Sequence, residues 1–221
     1  TLEFPNYEAL HPLYGAQALS VVGVRVFQSA PGRYDFVATM RNPNRRWLAT
    51  VQYHFEYNGV QTPVGEAVLL PGQERPVAVL GAAATIFPAA AQFILDNVRW
   101  QRLSAHRYPD VESFMAERLQ FRVDNVTIQK PQGNDTVNVP RIAFDLVNDS
   151  AYSYWQPIFY VELLSGTQSV GTIFLSVDQF RAGERRAIDV RYFGEAGIVN
   201  DIRLHPAVNI FDGEVYIAPR T

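Results

Sequence analysis

One pattern of residues occurs twice in this chain, 106 positions apart. FVATMRNPNRRWLATVQYHFEYNG (36–59) lines up with IAFDLVNDSAYSYWQPIFYVELLS (142–165). Phe36, Ala38 and Met40 fall on Ile142, Phe144 and Leu146, and Asn42 falls on Asn148. Val51, Tyr53, Phe55 and Tyr57 fall on Pro157, Phe159, Val161 and Leu163, while Glu56 meets Glu162. Val64-Gly65 meets Val170-Gly171, and Pro71-Gly72-Gln73 meets Ala182-Gly183-Glu184 after an insertion in the second copy. Asn97-Val98-Arg99-Trp100 resembles Asp201-Ile202-Arg203-Leu204, and Val24 and Val26 resemble Val126 and Ile128. Identities are few, but the alternation of inward and outward positions is kept. Because the side-chain period of a strand is two, a slip of one residue would turn a strand inside out. Whatever fold the first copy adopts, the second must adopt as well.

Each copy reads as all-β. VQYHFEY alternates apolar and polar residues as a half-buried strand does, and YDFVATM and RIAFDLV behave alike. Asn42-Pro43-Asn44 and Asn148-Asp149-Ser150 are turn chemistry, since Asn and Asp side chains bond nearby backbone and Pro fixes φ. Pro71-Gly72, Ala182-Gly183 and Ser165-Gly166 mark further turns. About seven short strands in roughly 100 residues predict an immunoglobulin-like sandwich, and the repeat predicts two in tandem. The chain has no cysteine, so this would be a sandwich without the inter-sheet disulfide. The expected organisation is an extended lead-in (1–16), a first domain (17–105), a link with a short helix capped by Asp110 (106–117), and a second domain (118–221). Its 221 residues can bury a full core without a metal or disulfide.

The order of these elements resembles the FxLYD-type and related cell-adhesion-like immunoglobulin-fold modules of bacteria. Phe55-Glu56-Tyr57-Asn58 is a partial match to their motif, and Val161-Glu162-Leu163-Leu164 a poorer one. Residues 22–100 and 197–212 are also similar to bacterial surface proteins with an N-terminal membrane anchor. The resemblance implies an extracytoplasmic pair of β-sandwiches without catalytic residues, and it carries over no site.

The search for chemistry excludes more than it finds. With no cysteine there is no thiolate metal site or cysteine nucleophile. His11, His54, His106 and His205 form no HxH or HExxH pair, and there is no GxSxG elbow or phosphate loop. His54 is expected as a solvated strand histidine, and Glu56 and Glu162 as outward, solubilising carboxylates. Net charge is −3, and dividing the chain at residue 110 gives 9 basic against 8 acidic residues, then 10 against 14. Neither half is basic, so nucleic acid is not expected as a partner. Pro76 to Leu95 lacks charge over twenty residues, but Pro76, Gly81 and Pro88 interrupt it, and no membrane span is expected within this sequence.

Asp145, Asn148, Asp149, Asp201 and Asp212 could approach calcium if their loops converged, although turn formation explains them more simply. Asn125, Asn134 and Asn148 stand in glycosylation sequons. Aromatic residues are denser than anything else in the second copy. Tyr152, Tyr154, Trp155, Phe159 and Tyr160 lie within nine residues. Trp155 shares phase with Phe159 and is expected in the core, with Trp47 and Trp100 as core or interdomain filling. Tyr152, Tyr154 and Tyr160 share the opposite phase and could form a ligand platform, or pack between the domains.

The expected function is therefore non-enzymatic: an extracytoplasmic structural or protein-interaction module in adhesion or envelope assembly, with no cofactor. The chain begins at Thr1, and the expectation is a cell-surface protein anchored by a segment absent from this chain. Its partner would be a protein or envelope component. The alternative is a carbohydrate-binding module, with a glycan held by the tyrosines of domain 2.

Overall fold

The structure is a computed structural model, and it describes residues 15–129, 139–193 and 199–218. Most of the 1–16 lead-in and the Asn134 sequon lie outside the described residues. The first copy forms β1 (Ser20–Ala30), β2 (Arg33–Arg41), β3 (Trp47–Tyr57), β4 (Val60–Gln61), β5 (Gly65–Leu69), β6 (Glu74–Ala83) and β7 (Gln92–Arg102). Helix α1 (Val111–Arg118) follows. The second copy forms β8 (Phe121–Gln129), β9 (Arg141–Asn148), β10 (Ile158–Ser165), β11 (Gln168–Ser176), β12 (Arg185–Arg191) and β13 (Asp201–Pro206).

All pairings between these strands are antiparallel, and the same strand order appears twice. In the first half one sheet runs β1-β2-β6, and the other places β7 and β5 on either side of β3, with β4 closing a hairpin on β3. In the second half the sheets run β8-β9-β12 and β13-β10-β11. The inward phases meet face to face in each half. Phe36, Ala38 and Met40 of β2 pack with Val51, Tyr53 and Phe55 of β3. Ile142, Phe144 and Leu146 of β9 pack with Phe159, Val161 and Leu163 of β10. The chargeless stretch 76–95 lies mostly within β6 and β7, and no helix among the described residues is long and apolar enough to cross a membrane.

Each half is closed at one corner by the same buried amide. Asn42 and Asn148 are both fully buried. Asn42 Nδ2 donates to the carbonyls of Trp47 (2.7 Å), Leu70 (3.1 Å) and Leu69 (3.3 Å), while its Oδ1 accepts from the Asn44 backbone N–H (3.1 Å). Asn148 Nδ2 donates to the carbonyls of Tyr152 (2.8 Å) and Arg181 (2.9 Å), and its Oδ1 accepts from Ser150 N–H (3.1 Å) and Oγ (2.7 Å). The backbone N–H of each asparagine donates, at 2.9 Å, to the backbone carbonyl of Gln73 or Glu184. The side chains of Gln73 and Glu184 in turn accept from Leu70 N–H (3.0 Å) and Arg181 N–H (2.7 Å), closing the turns at Gly72 and Gly183. Because Asn148 is buried and its amide is used twice, its sequon cannot accept a glycan.

The equivalent glycines Gly65 and Gly171 serve a second shared device. A Cβ at either would sit 2.6 Å from a tyrosine side chain, at Cζ of Tyr53 in the first half and at the hydroxyl of Tyr192 in the second. Each glycine lets a ring lie flat across an edge strand. Tyr53 OH donates to Ala78 O (2.9 Å), whereas the buried Tyr192 hydroxyl has no partner among the described residues.

The halves meet through non-equivalent faces. The outer face of β1-β2-β6 lies against the outer face of β13-β10-β11, with Gln73 Nε2 donating to Pro206 O (3.1 Å) and Arg25 reaching Glu162 (3.7 Å). The outer face of β8-β9-β12, which corresponds to the docked face of the first half, is crossed by ion pairs. Arg122 pairs with Asp124 and Asp149, Arg185 with Asp124 and Asp145, and Arg141 with Asp189.

Replacing Asn148 or Asn42 with alanine is expected to cost about 2–4 kcal/mol each, because carbonyls and N–H groups buried at the corner lose their partners. Urea midpoints should fall by similar amounts at the two sites, and an unchanged midpoint at either would count against a shared corner. The equivalent core positions Ala38 and Phe144, both nearly inaccessible, are filled differently in the two halves. Phe144→Ala should cost about 3–5 kcal/mol through a cavity. Ala38→Phe should cost about 1–3 kcal/mol through overpacking, read from the same urea titrations.

Candidate functional site

The link between the halves is built into the structure. Asp110 caps α1 by accepting from Ser113 N–H (2.9 Å) and Oγ (2.7 Å). The helix inserts between both halves and the segment that follows β13. There Leu48 and Leu70 of the first half pack with Tyr154, Val208 and Ile210 of the second, and Phe114, Met115 and Leu119 of the helix region complete the cluster. A neighbouring cluster joins Leu103, Tyr108 and Val111 to Phe114 and Phe211.

On the outside of this junction lies a groove of about 680 Å³, a volume typical of ligand sites. Five rings line it: Tyr108, Phe114, Tyr152, Phe211 and Tyr216. Phe114 stacks on Phe211 with centroids 5.1 Å apart, and Tyr108 stands edge-on to both at 4.9 Å and 5.1 Å. The Arg118 guanidinium is held between two rings, 3.6 Å from the centroid of Phe114 and 4.1 Å from that of Tyr152. Its Nη1 donates to Phe114 O (3.1 Å) and to Glu117 (3.2 Å). Tyr216 is fixed by donation from its hydroxyl to Ile210 O (2.6 Å), and burial pushes its pKa up to about 12. Arg107 lines the groove too, with its guanidinium 5.3 Å from the Tyr108 ring. Thus the groove combines rigid aromatic walls with two arginines and no carboxylate among its lining residues.

The three tyrosines singled out in the sequence separate. Tyr154 is fully buried, its hydroxyl donates to Arg118 O (2.5 Å), and burial raises its pKa. Tyr152 lines the groove, half-buried beneath Arg118, and its carbonyl is held by Asn148. Tyr160 faces the first half, 6.0 Å from the Arg75 guanidinium, and stands edge-on to Phe174. They share no open face. The phase read through 152–160 breaks at Pro157, since β10 begins only at Ile158. Tyr154 instead bridges Phe180 and Tyr216, and that turns Tyr154 inward and leaves Trp155 50% exposed, where the alternation placed it in the core.

A second concavity, of about 220 Å³, follows the seam between the halves. Three of its four basic groups converge on Glu162: His205 at 3.0 Å, Arg203 at 3.6 Å and Arg25 at 3.7 Å. The carboxylate already fills the place an anionic ligand would take, and the seam is therefore an ion-paired joint. Glu162 is more enclosed than expected for an outward strand carboxylate, with a side chain 16% exposed. His54 departs from the solvated reading as well. It is 8% exposed, held by Asp96 (2.9 Å) and Glu56 (3.3 Å), and these carboxylates raise its pKa, Asp96 foremost.

The calcium candidates do not converge. Asp145 bonds Asn125 and Arg185, Asp149 pairs with Arg122, Asn148 faces inward, and Asp201 and Asp212 cap local backbone. Among the described residues no three His, Cys, Asp or Glu side chains gather as metal ligands would.

Apart from Tyr152, the groove residues were not visible as a set, because Tyr108, Phe114, Arg118, Phe211 and Tyr216 come from the link and from the chain after β13, outside the repeat. Asp110 as a helix cap was the available signal, since it places Phe114 and Arg118 one turn apart on one helix face. Compared with models of known protein families and with curated proteins, the sequence matches none.

Glu162 gives the joint a pH dependence. Its pKa is lowered, first by the hydrogen bond from His205 and further by Ser169 and the charge of Arg203. A depressed carboxylate stabilises the folded state above its ordinary value of 4.5, and that contribution is lost as pH falls through the folded value. Thermal melts between about pH 3 and pH 7 should show Glu162→Gln less stable than the native chain at the upper end and converging with it at the lower. Parallel curves would show that the carboxylate is not coupled to folding.

Proposed function

We propose that the protein is a non-enzymatic interaction module that presents the aromatic groove at the junction of two immunoglobulin-like domains. The strand order supports the tandem reading. β1-β2-β6 and β7-β3-β5 follow the A-B-E and F-C-C′ order of that fold, and the second half repeats it. The absence of cysteine makes both domains disulfide-free variants. The resemblance to bacterial adhesion-type modules supports an extracytoplasmic, membrane-tethered setting, in adhesion or envelope assembly, with a protein or envelope component as partner.

The groove itself carries the interaction reading. It is assembled from the link, the second half and the segment after β13, and it rests on the shared cluster beneath. Its rings are locked against one another, so a partner would find the walls already ordered and lose little entropy on binding. Aromatic and arginine side chains packed in this way are the residues that dominate protein interfaces.

Carbohydrate binding is the second reading, and the aromatic density favours it. Against it, the faces a sugar would stack on are occupied: Phe114 has Arg118 on one side and Phe211 near by, and Tyr152 is covered by Arg118.

A photo-cross-linking residue in place of Ser153, on the groove wall, tests the interaction reading in cells that make the full-length protein. A discrete protein adduct is expected, and it should disappear when Phe211→Ala opens the ring stack. A cross-linker in place of Arg191, on the opposite sheet, should give no such adduct. The same adduct from both positions, or none from Ser153, overturns the reading. A glycan array probed with the chain should stay blank, whereas selective binding abolished by Tyr152→Ala would replace the protein-partner reading with the carbohydrate one.

A further inference from the structure

We propose that the junction groove takes an acidic peptide segment of a partner protein, its carboxylates on Arg118 and Arg107 and its apolar side chains among the ring edges. This rests on the interaction reading above and adds the chemistry of the partner.

Charge decides the sign. The groove is lined by two arginines and no acid, which is unusual for a chain of net charge −3. A basic or neutral segment would leave Arg107 without a counterpart in the groove and Arg118 with Glu117 alone, on its Nη1. Arg118 is the stronger of the two. Its side chain is only 15% exposed, so water screens it weakly, and both faces of its guanidinium are covered by rings. Nη1 already has acceptors and the Tyr216 hydroxyl also lies beside the guanidinium, whose hydrogen bond and charge oppose the rise of the phenol pKa, so the donors open to a ligand are those the phenol leaves free. What remains is a planar edge of N–H donors, preset in direction, and that edge matches a carboxylate. Stacking has already removed the side-chain freedom that an exposed arginine would lose on binding.

The rings agree with this sign. Aromatic rings are negative on their faces and positive at their edges. Here Phe114 and Phe211 turn faces on one another and Arg118 covers Phe114 and Tyr152, while Tyr108 meets both phenyl rings edge-to-face, at centroid separations of 4.9 to 5.1 Å. What the groove offers is therefore largely edges, which favour carboxylate oxygens and aliphatic groups over a stacked sugar or base. Its volume of about 680 Å³ suits a short extended segment rather than a single small ion.

The test is selection of a random octapeptide display library on the immobilised full chain. Selected peptides should be enriched in Asp and Glu interleaved with Leu, Ile or Phe. A synthetic copy of the best one should bind roughly tenfold or more weakly to Arg118→Gln, as expected when a charge-assisted pair is lost. Binding to Arg107→Gln should be a few-fold weaker, as expected for an exposed pair, and its salt dependence shallower. Arg107 is exposed, so its variant keeps the test valid if Arg118→Gln perturbs the helix. The proposal is overturned if the selected peptides are neutral or basic, if none are selected, or if replacing their Glu with Gln leaves affinity unchanged. It is also overturned if tetragalacturonate binds the groove in preference to the peptide, or if a concentration-dependent dimer occludes it. A Ser153 adduct together with a failed acidic selection would remove this proposal and leave the interaction reading standing.

Discussion

The amide at the end of the second strand in each half holds more of this structure than any other single group. Asn42 and Asn148 sit where a strand leaves one sheet and the chain crosses to the other. Three segments meet there: the strand end, the loop behind it, and the turn that leads back into β6 or β12. Most of the carbonyls and N–H groups at this point lie at or beyond the ends of the sheet ladders and are buried or partly buried, and an unpaired buried backbone group is costly. A side-chain amide answers both needs with two donors and an acceptor in one plane. Asparagine fits because its amide is held one methylene from the backbone, close to its own turn. In the second half the same amide holds the carbonyl of Tyr152, so a wall of the groove is fixed by the device that closes the sandwich.

The junction converts a repeat into one body. Neither half alone covers Leu48, Leu70, Val208 or Ile210, and α1 is too short to be stable by itself. The helix gains its order from the apolar surface it buries against both neighbours, and the halves gain their relative position from the helix. Arg118 shows how closely the parts are coupled: its carbonyl accepts from Tyr154, and its guanidinium lies between Phe114 of the helix and Tyr152 of the second half.

Much of the fold was legible because alternation is a strong signal where a strand is half-buried. Phe36, Phe55, Ile142 and Phe159 are all inaccessible, and Asp110 caps the helix. The turns at Gly72, Gly166 and Gly183 stand at positive φ, which glycine adopts freely. The site was far less legible. Alternation holds only while the chain is extended, and between Asn148 and Ile158 it is not, which is why Trp155 and Tyr154 exchange their expected places. His54 and Glu162 do lie on outer faces, as the phase requires. What the sequence could not reveal is that Asp96 and the other half come up to cover them.

The docking of unlike faces has a consequence for assembly. A joint between a surface and its own copy is complete once made, whereas a joint between two different surfaces leaves one of each unused and can continue without limit. In this chain the continuation is blocked at the second half. The face that would receive a third member is not the docked surface, where Gly23, Val37 and Thr39 lie beside Arg25, but a field of arginines and aspartates already engaged with each other. Seating another module there would mean dehydrating those pairs for little return. That sheet face is therefore a poor receiver for a further copy of the same joint.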